Sequence, residues 1–115
     1  MSHALSVGQY PKDWPELANR IKDEAGWKCE RCKHGHAPLA GYSLTVHHLD
    51  HDKSNEARWN LAALCQRCHL QLESMSLYQI YMLTQQANMF GFNATWLEWR
   101  IPYIREAIRY ENLGT

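Results

Sequence analysis

Apolar positions recur at helical spacing near the start of the chain and again over its last third, with two short strand-like runs between them. In "YPKDWPELANRIKDEAGWKC", Leu17, Ile21 and Ala25 share one face, Pro15 falls in the first turn and Gly26 follows the last periodic position. That pattern predicts a helix from about Trp14 to Gly26. The β-branched run Ser43 to His48 predicts a strand, the polar positions Asp50 to Asn60 a loop, and the apolar "LAALC" a short second strand leading into a helix. This helix, starting at Cys65, is expected to run on through "LQLESMSLYQIYMLTQQANMF", with Leu77, Ile80, Tyr81 and Thr84 on a stripe before Gly91. "TWLEWRIPYIREAIRYE" predicts one or two short helices, Thr95 and Glu98 being spaced as a capping box and Pro102 marking a restart. Trp96, Trp99 and Tyr103 are expected to pack into the core.

Composition narrows the class. With 115 residues, 45% hydrophobic and 21% charged, the chain fits one domain over residues 1–115 with a modest core. Its parts are an N-terminal helix region at 10–26, a central unit at 27–74 and a helical extension at 75–115. Twelve basic residues balance twelve acidic ones, so net charge argues neither for nor against a polyanionic partner. The start "MSHALSVGQYPKD" lacks a basic segment followed by an apolar stretch, and no run reaches about 18 apolar residues. A soluble, cytoplasmic protein with no membrane partner is the expectation.

In a reduced compartment four cysteines point to metal rather than disulfides. Cys29-x2-Cys32 in "WKCERC" and Cys65-x2-Cys68 in "LCQRCH" are two knuckle-type pairs, together specifying one four-cysteine zinc site. The alternative, four unrelated buried thiols, would have to produce two such pairs by accident. The segment 33–64 between the pairs exceeds the roughly 15–20 residues of an ordinary zinc ribbon, so something has been built inside the finger.

Flanked by these cysteines, "VHHLD…N…NLAALCQRCH" resembles the HNH endonuclease family over about Tyr10 to Leu72. The resemblance implies an α+β fold: a small ββα-metal (His-Me) finger stapled by the zinc site and flanked by an N-terminal helix and a helical tail. It also implies a nuclease of bacterial or phage-infected cells that acts on DNA and leaves 5′-phosphate and 3′-hydroxyl ends. His48 matches the first signature histidine, Asn60 the signature asparagine and His69 the last histidine. His47 holds the preceding position, which the family often fills with a metal ligand.

Elementary chemistry agrees with that mapping. Phosphodiester hydrolysis needs an activated water, a neutralised phosphate and a stabilised leaving oxygen, and one divalent ion (Mg2+, Mn2+ or Ni2+) with a base near neutral pKa supplies all three. Neutral His47 and His69 would hold the ion, and unligated His48 would take the proton. Neighbours on a regular strand face opposite ways, so a distortion is expected at its end, Leu49–Asp50. Asn60 fits a brace that holds His48 in place, or simply an N-cap or turn residue before "LAAL". His69 could alternatively be a surplus zinc-ligand candidate.

Asp50 is expected to cap the turn toward Asn55, and His34, His36 and His51 are read as solvated loop residues. Lys28, Arg31 and Lys33 crowd one knuckle and Arg67 the other, with Lys53 and Arg58 in the loop; Lys28, Arg31 and Arg67 are the candidate phosphate contacts. Glu30, Asp52 and Glu56 offset them, so ordinary surface charge is the competing account. Two functions follow, a metal-dependent endonuclease or a zinc-stapled nucleic-acid-binding module without cleavage. The complete set His47, His48, Asn60 and His69 favours the first, because a binding module has no use for an unligated imidazole beside a ligand pair.

Overall fold

The computed structural model describes residues 10–86 and 95–113 of the chain. It is a small α+β unit built on a two-stranded antiparallel sheet. Helix α1 spans Trp14–Glu24, with Pro15 in its first turn, Glu16 near its positive end and Lys22 near its negative end, the favoured polarity for the macrodipole. Ala18 and Ile21 are buried, with Leu17 packed against the core beside them. The helix stops where Gly26 takes a left-handed φ of 66° and Trp27 N–H donates back to Lys22 O.

Strand β1 (Leu44–His48) pairs with β2 (Leu61–Cys65) in the register Leu44↔Cys65 to His48↔Leu61. All five residues of β2 are buried, which explains why "LAALC" reads as a continuous apolar run rather than an alternating one. Helix α2 (Gln66–Glu73) follows with no connecting residue, Cys65 serving as the last strand residue and the N-cap of the helix. Helices α1 and α2 pack on the two strands. Ile21, Leu44, Leu49, Leu64 and Leu72 form the centre of the core.

One expected element is divided. The helix predicted to run unbroken from Cys65 stops at Glu73, and α3 (Leu77–Gln86) starts afresh. The cause is local chemistry: Gln79 N–H donates to Ser76 Oγ (3.1 Å) and Ser76 N–H to Gln79 Oε1 (2.7 Å), a reciprocal capping box that the apolar stripe obscured. Leu77 and Ile80 are buried and Tyr81 and Thr84 half-buried, as the stripe implied, while Gly91 lies outside the described residues.

The tail folds as a 3-10 turn, Thr95–Arg100, running directly into α4 (Ile101–Leu113), with Pro102 at its second position. Trp96, Leu97 and Ile104 reach the core, but Trp99 and Tyr103 do not: they are 45% and 52% exposed. No helix among the described residues is long and apolar enough to cross a membrane.

Candidate active site

The two C-x2-C pairs converge. All four sulfurs lie within 4.8 Å of one another, and Cys32 Sγ is 3.7 Å from Cys65 Sγ. Four thiolates on one tetrahedral zinc at about 2.3 Å stand roughly 3.8 Å apart, so the cysteines are placed to hold such an ion. In each pair the second cysteine donates its N–H to the first sulfur, Cys32 to Cys29 (3.4 Å) and Cys68 to Cys65 (3.5 Å). Burial pushes the Cys32 and Cys68 thiols up. Burial also raises Cys29, but backbone N–H groups of Cys32, Cys65 and Arg31 together outweigh it and leave that thiol below its ordinary range.

A separate pocket of about 210 Å³ gathers the histidines, lined by His47, His48, His51 and His69 together with Tyr10, Val46, Lys53 and Glu73. His47 and His48 are 3% and 5% exposed, yet the Nε2 atom of each is buried without a hydrogen-bond partner. Each such atom costs on the order of 1–3 kcal/mol, which a folded chain tolerates where a ligand is to be bound. His47 stands edge-on to His69 (ring centroids 4.7 Å apart) and to His51 (5.4 Å). His48 instead packs on Trp14 (4.8 Å) and Tyr10 (5.8 Å), so α1 and the residues before it form one wall around that imidazole. Burial drives the His47 pKa down to about 3, with His69, His51 and His48 adding to the effect. Burial also lowers His48, against the pull of Asp50 and Asp52.

The strand stays paired through both histidines, and the chain turns only at Leu49–Asp50, the expected place for a break. Asn60 organises that turn. Completely buried, it accepts from Asp50 N–H through Oδ1 (2.9 Å) and donates through Nδ2 to Asp50 Oδ1 (2.8 Å) and Asn55 O (3.1 Å). Its backbone carbonyl takes Leu49 N–H (2.9 Å). Asp50 in turn receives Asp52 N–H and Asn55 Nδ2 (2.8 Å), the contact with Asn55 that the Asx pattern predicts. The amide thus clamps the beginning of the 50–60 loop, which directly follows His48, to its end.

His69 sits on the first turn of α2, one residue past Cys68, and its ring joins the histidine pocket rather than the sulfur cluster. Thr45 Oγ1 donates to Leu64 O (2.8 Å), so toward His69 Nδ1 (3.2 Å) it can only accept. That assigns the His69 proton to Nδ1 and leaves Nε2 a lone pair.

The other histidines divide. His34 stacks flat on Tyr42 (3.5 Å) and His36 Nδ1 accepts Leu44 N–H (2.8 Å), so both serve the 34–44 loop away from the pocket. His51, expected in solvent, is exposed but lines the pocket. The basic knuckle residues divide too. Lys28 is exposed. Arg31 bonds Gln71 of α2 and lies against Cys68. Arg67 donates to Gly41 O (3.2 Å) and Ala40 O (3.4 Å) and covers the Tyr42 ring (4.3 Å). A Cβ on Gly41, at φ 84°, would come within 3.0 Å of that guanidinium.

Sequence reasoning missed a buried ion pair behind the site. Arg100, fully buried, donates to Glu30 (2.9 Å) and to the carbonyls of Trp59 (2.9 Å), Leu61 (2.8 Å) and Trp96 (2.8 Å). Two of those carbonyls flank Asn60. Glu30 accepts Ala63 N–H (2.7 Å), which joins the first knuckle to β2 and the tail. The one signal in the sequence was a lone cation inside the aromatic run "TWLEWRIPY".

The sequence model of the HNH endonuclease family matches residues 29–74, a span that holds all four cysteines, His47, His48, Asn60 and His69. The chain is also 34% identical over 67 residues to proteins named "Putative HNH nuclease YajD" from Escherichia coli K12, Salmonella typhimurium and Shigella flexneri. That alignment covers 51% of this chain and 56% of each relative, so the chain spans about half the length of the curated relatives it matches. No solved structure gives a significant match.

Proposed function

Because residues 29–74 form a domain of the HNH endonuclease family, we propose that the chain is a metal-dependent DNA endonuclease, with His48 as general base and one divalent ion held by His47 and His69. The carrying observation is the pair of buried, unpartnered Nε2 atoms on His47 and His48, lining one pocket with His69. Burial keeps both imidazoles neutral at pH 7, so His47 offers a lone pair and His48 is ready to accept a proton.

His48 takes the proton of the water that attacks phosphorus, while Trp14 and Tyr10 hold its ring against reorientation. His69, its proton held at Nδ1 by Thr45, presents Nε2 as a donor. When bound, Mg2+, Mn2+ or Ni2+ supplies the positive charge that the phosphate and the departing oxygen require. Asn60 is a positioning residue: it fixes the turn that follows His48 and touches no reacting atom. A structural zinc on Cys29, Cys32, Cys65 and Cys68 sets the first turn of α2 and with it the start of the His69 side chain. Lys28, Arg31, Arg67 and Lys53 supply the phosphate-backbone contacts, Lys53 from the wall of the histidine pocket.

Supercoiled plasmid incubated with purified protein, with chelator alone or with each of the three ions, tests this reading. Nicked or linear DNA should appear only where a divalent ion is present. Binding without cleavage under every ion would make the chain a zinc-stapled nucleic-acid-binding module instead.

A further inference from the structure

We propose that the tip Pro38-Leu39-Ala40, in the loop between the first knuckle and β1, is an apolar wedge that inserts between base pairs of duplex DNA, so that the chain distorts the duplex on which it acts. The inference rests on the reading of the chain as a DNA endonuclease and adds a contact outside the signature residues.

The tip is bare and its support is rigid. Leu39 is 107% exposed, more than any other large apolar side chain among the described residues, and Pro38 and Ala40 beside it are exposed too. Beneath the tip, Ala37 and Tyr42 exchange both backbone hydrogen bonds (3.0 and 2.9 Å), which closes the turn, and Gly41 completes it at φ 84°. Arg67 donates to the carbonyls of Ala40 and Gly41. Tyr42 packs against both the His34 ring, with 3.5 Å between centroids and planes 4° apart, and the Arg67 guanidinium at 4.3 Å. A lone apolar side chain on a loose loop would signify little. Here the turn is fixed before any partner arrives, so the ordering cost of insertion is already met.

Charge selects the partner. Between Ala25 and Leu49 the sole acidic residue is Glu30, and it is turned inward onto Arg100 (2.9 Å). No other carboxylate in that segment opposes the exposed Lys28 and Lys33 or the Arg67 that props the turn. An apolar tip rimmed by cations suits a polyanion with an apolar interior, which describes stacked DNA: the cations meet phosphates while the leucine enters between bases. An apolar socket on a protein would make no use of the cations. The tip and the histidine pocket are also close enough to meet one duplex. Strand β1 begins beside the turn and carries His47 and His48 at its far end, and at about 3.3 Å per residue it spans roughly 13 Å, about four base-pair steps.

The test uses the zinc-loaded protein with no other divalent ion added, and short duplexes carrying one 2-aminopurine beside a TA step, which unstacks easily. Binding of the parent should raise the 2-aminopurine fluorescence, the mark of an unstacked base. Leu39→Ser should abolish that rise and weaken binding by roughly three- to tenfold, with the melting temperature unchanged because Leu39 lies outside the core. Leu39→Met, still apolar, should keep the rise. Lys33→Gln should also keep it while lowering the salt slope by about one. A parent that binds duplex with no rise, or a Leu39→Ser variant that retains both rise and affinity, would overturn the wedge. A parent that binds no duplex at all would overturn the nuclease reading and the wedge with it.

Discussion

Arg100→Met in the zinc-loaded protein should be among the most damaging single changes outside the cysteine cluster and the histidine pocket. Arg100 has no exposed surface, and its guanidinium satisfies the Glu30 carboxylate and three main-chain carbonyls at once. Methionine fills much of the volume but returns none of those donors. The Glu30 carboxylate, 16% exposed, keeps the Ala63 N–H and loses its counter-ion. Breaking a buried pair from one side costs about 3–5 kcal/mol. Against a total stability of roughly 5–15 kcal/mol that is a large share, worth on the order of 10–20 °C in melting temperature for a chain of this size.

Glu30→Met should be costly too: Arg100 keeps its three carbonyl acceptors, but its fully buried cation loses its counter-ion and Ala63 N–H loses its acceptor. The double variant buries no lone charge, so its loss should fall short of the sum of the two single losses by about 1.5–3 kcal/mol. Arg100→Lys should rescue poorly, since one ammonium cannot span Glu30, Trp59 and Leu61 as a planar fork does. Guanidinium chloride unfolding of the four proteins, each with zinc retained, measures the coupling. Additivity within about 0.5 kcal/mol would show that the pair carries no interaction and would refute this reasoning.

The remaining predictions concern the sites. Metal analysis should find one tightly held zinc per chain, and Cys32→Ser with Cys68→Ser should abolish the fold; a folded, zinc-free double variant would argue otherwise. His48→Ala should leave ion binding nearly unchanged while cutting plasmid nicking by roughly 10²–10⁴-fold, whereas His47→Ala should raise the Mn2+ concentration required and be partly rescued by excess metal. A metal-rescued His48→Ala would reverse these roles. Asn60→Ala should destabilise by about 2–4 kcal/mol, since it strips three side-chain hydrogen bonds from a buried turn, and thermal melts would check it. Lys28→Gln and Lys53→Gln should each reduce the salt slope of DNA binding by about one without changing melting temperature, while Arg67→Ala should lower both, because it also releases the turn at Ala40 and Gly41.

Much of the site is legible in the amino-acid sequence alone because its chemistry is written in local spacing. Two C-x2-C pairs admit few uses besides one metal, and the doublet His47-His48 followed by Asn60 and a histidine next to Cys68 is a pattern with a specific resemblance. The antiparallel strands are equally legible, since a β-branched run and an apolar pentapeptide around a polar loop can bury themselves by pairing. What stays hidden depends on contacts between distant positions. Arg100 meets Glu30 across 70 residues, and nothing in the neighbourhood of either announces the other. Trp96 turns inward while Trp99, three positions on, stays half exposed, because the 3-10 turn and the packing of α4 settle which ring faces the core. His51 reads as a loop residue in "HLDHDKSN", and its ring reaches the pocket only because a left-handed backbone and the Met75 carbonyl, 24 residues away, aim it there. Local spacing specifies which atoms can bind; only tertiary packing decides which of them meet.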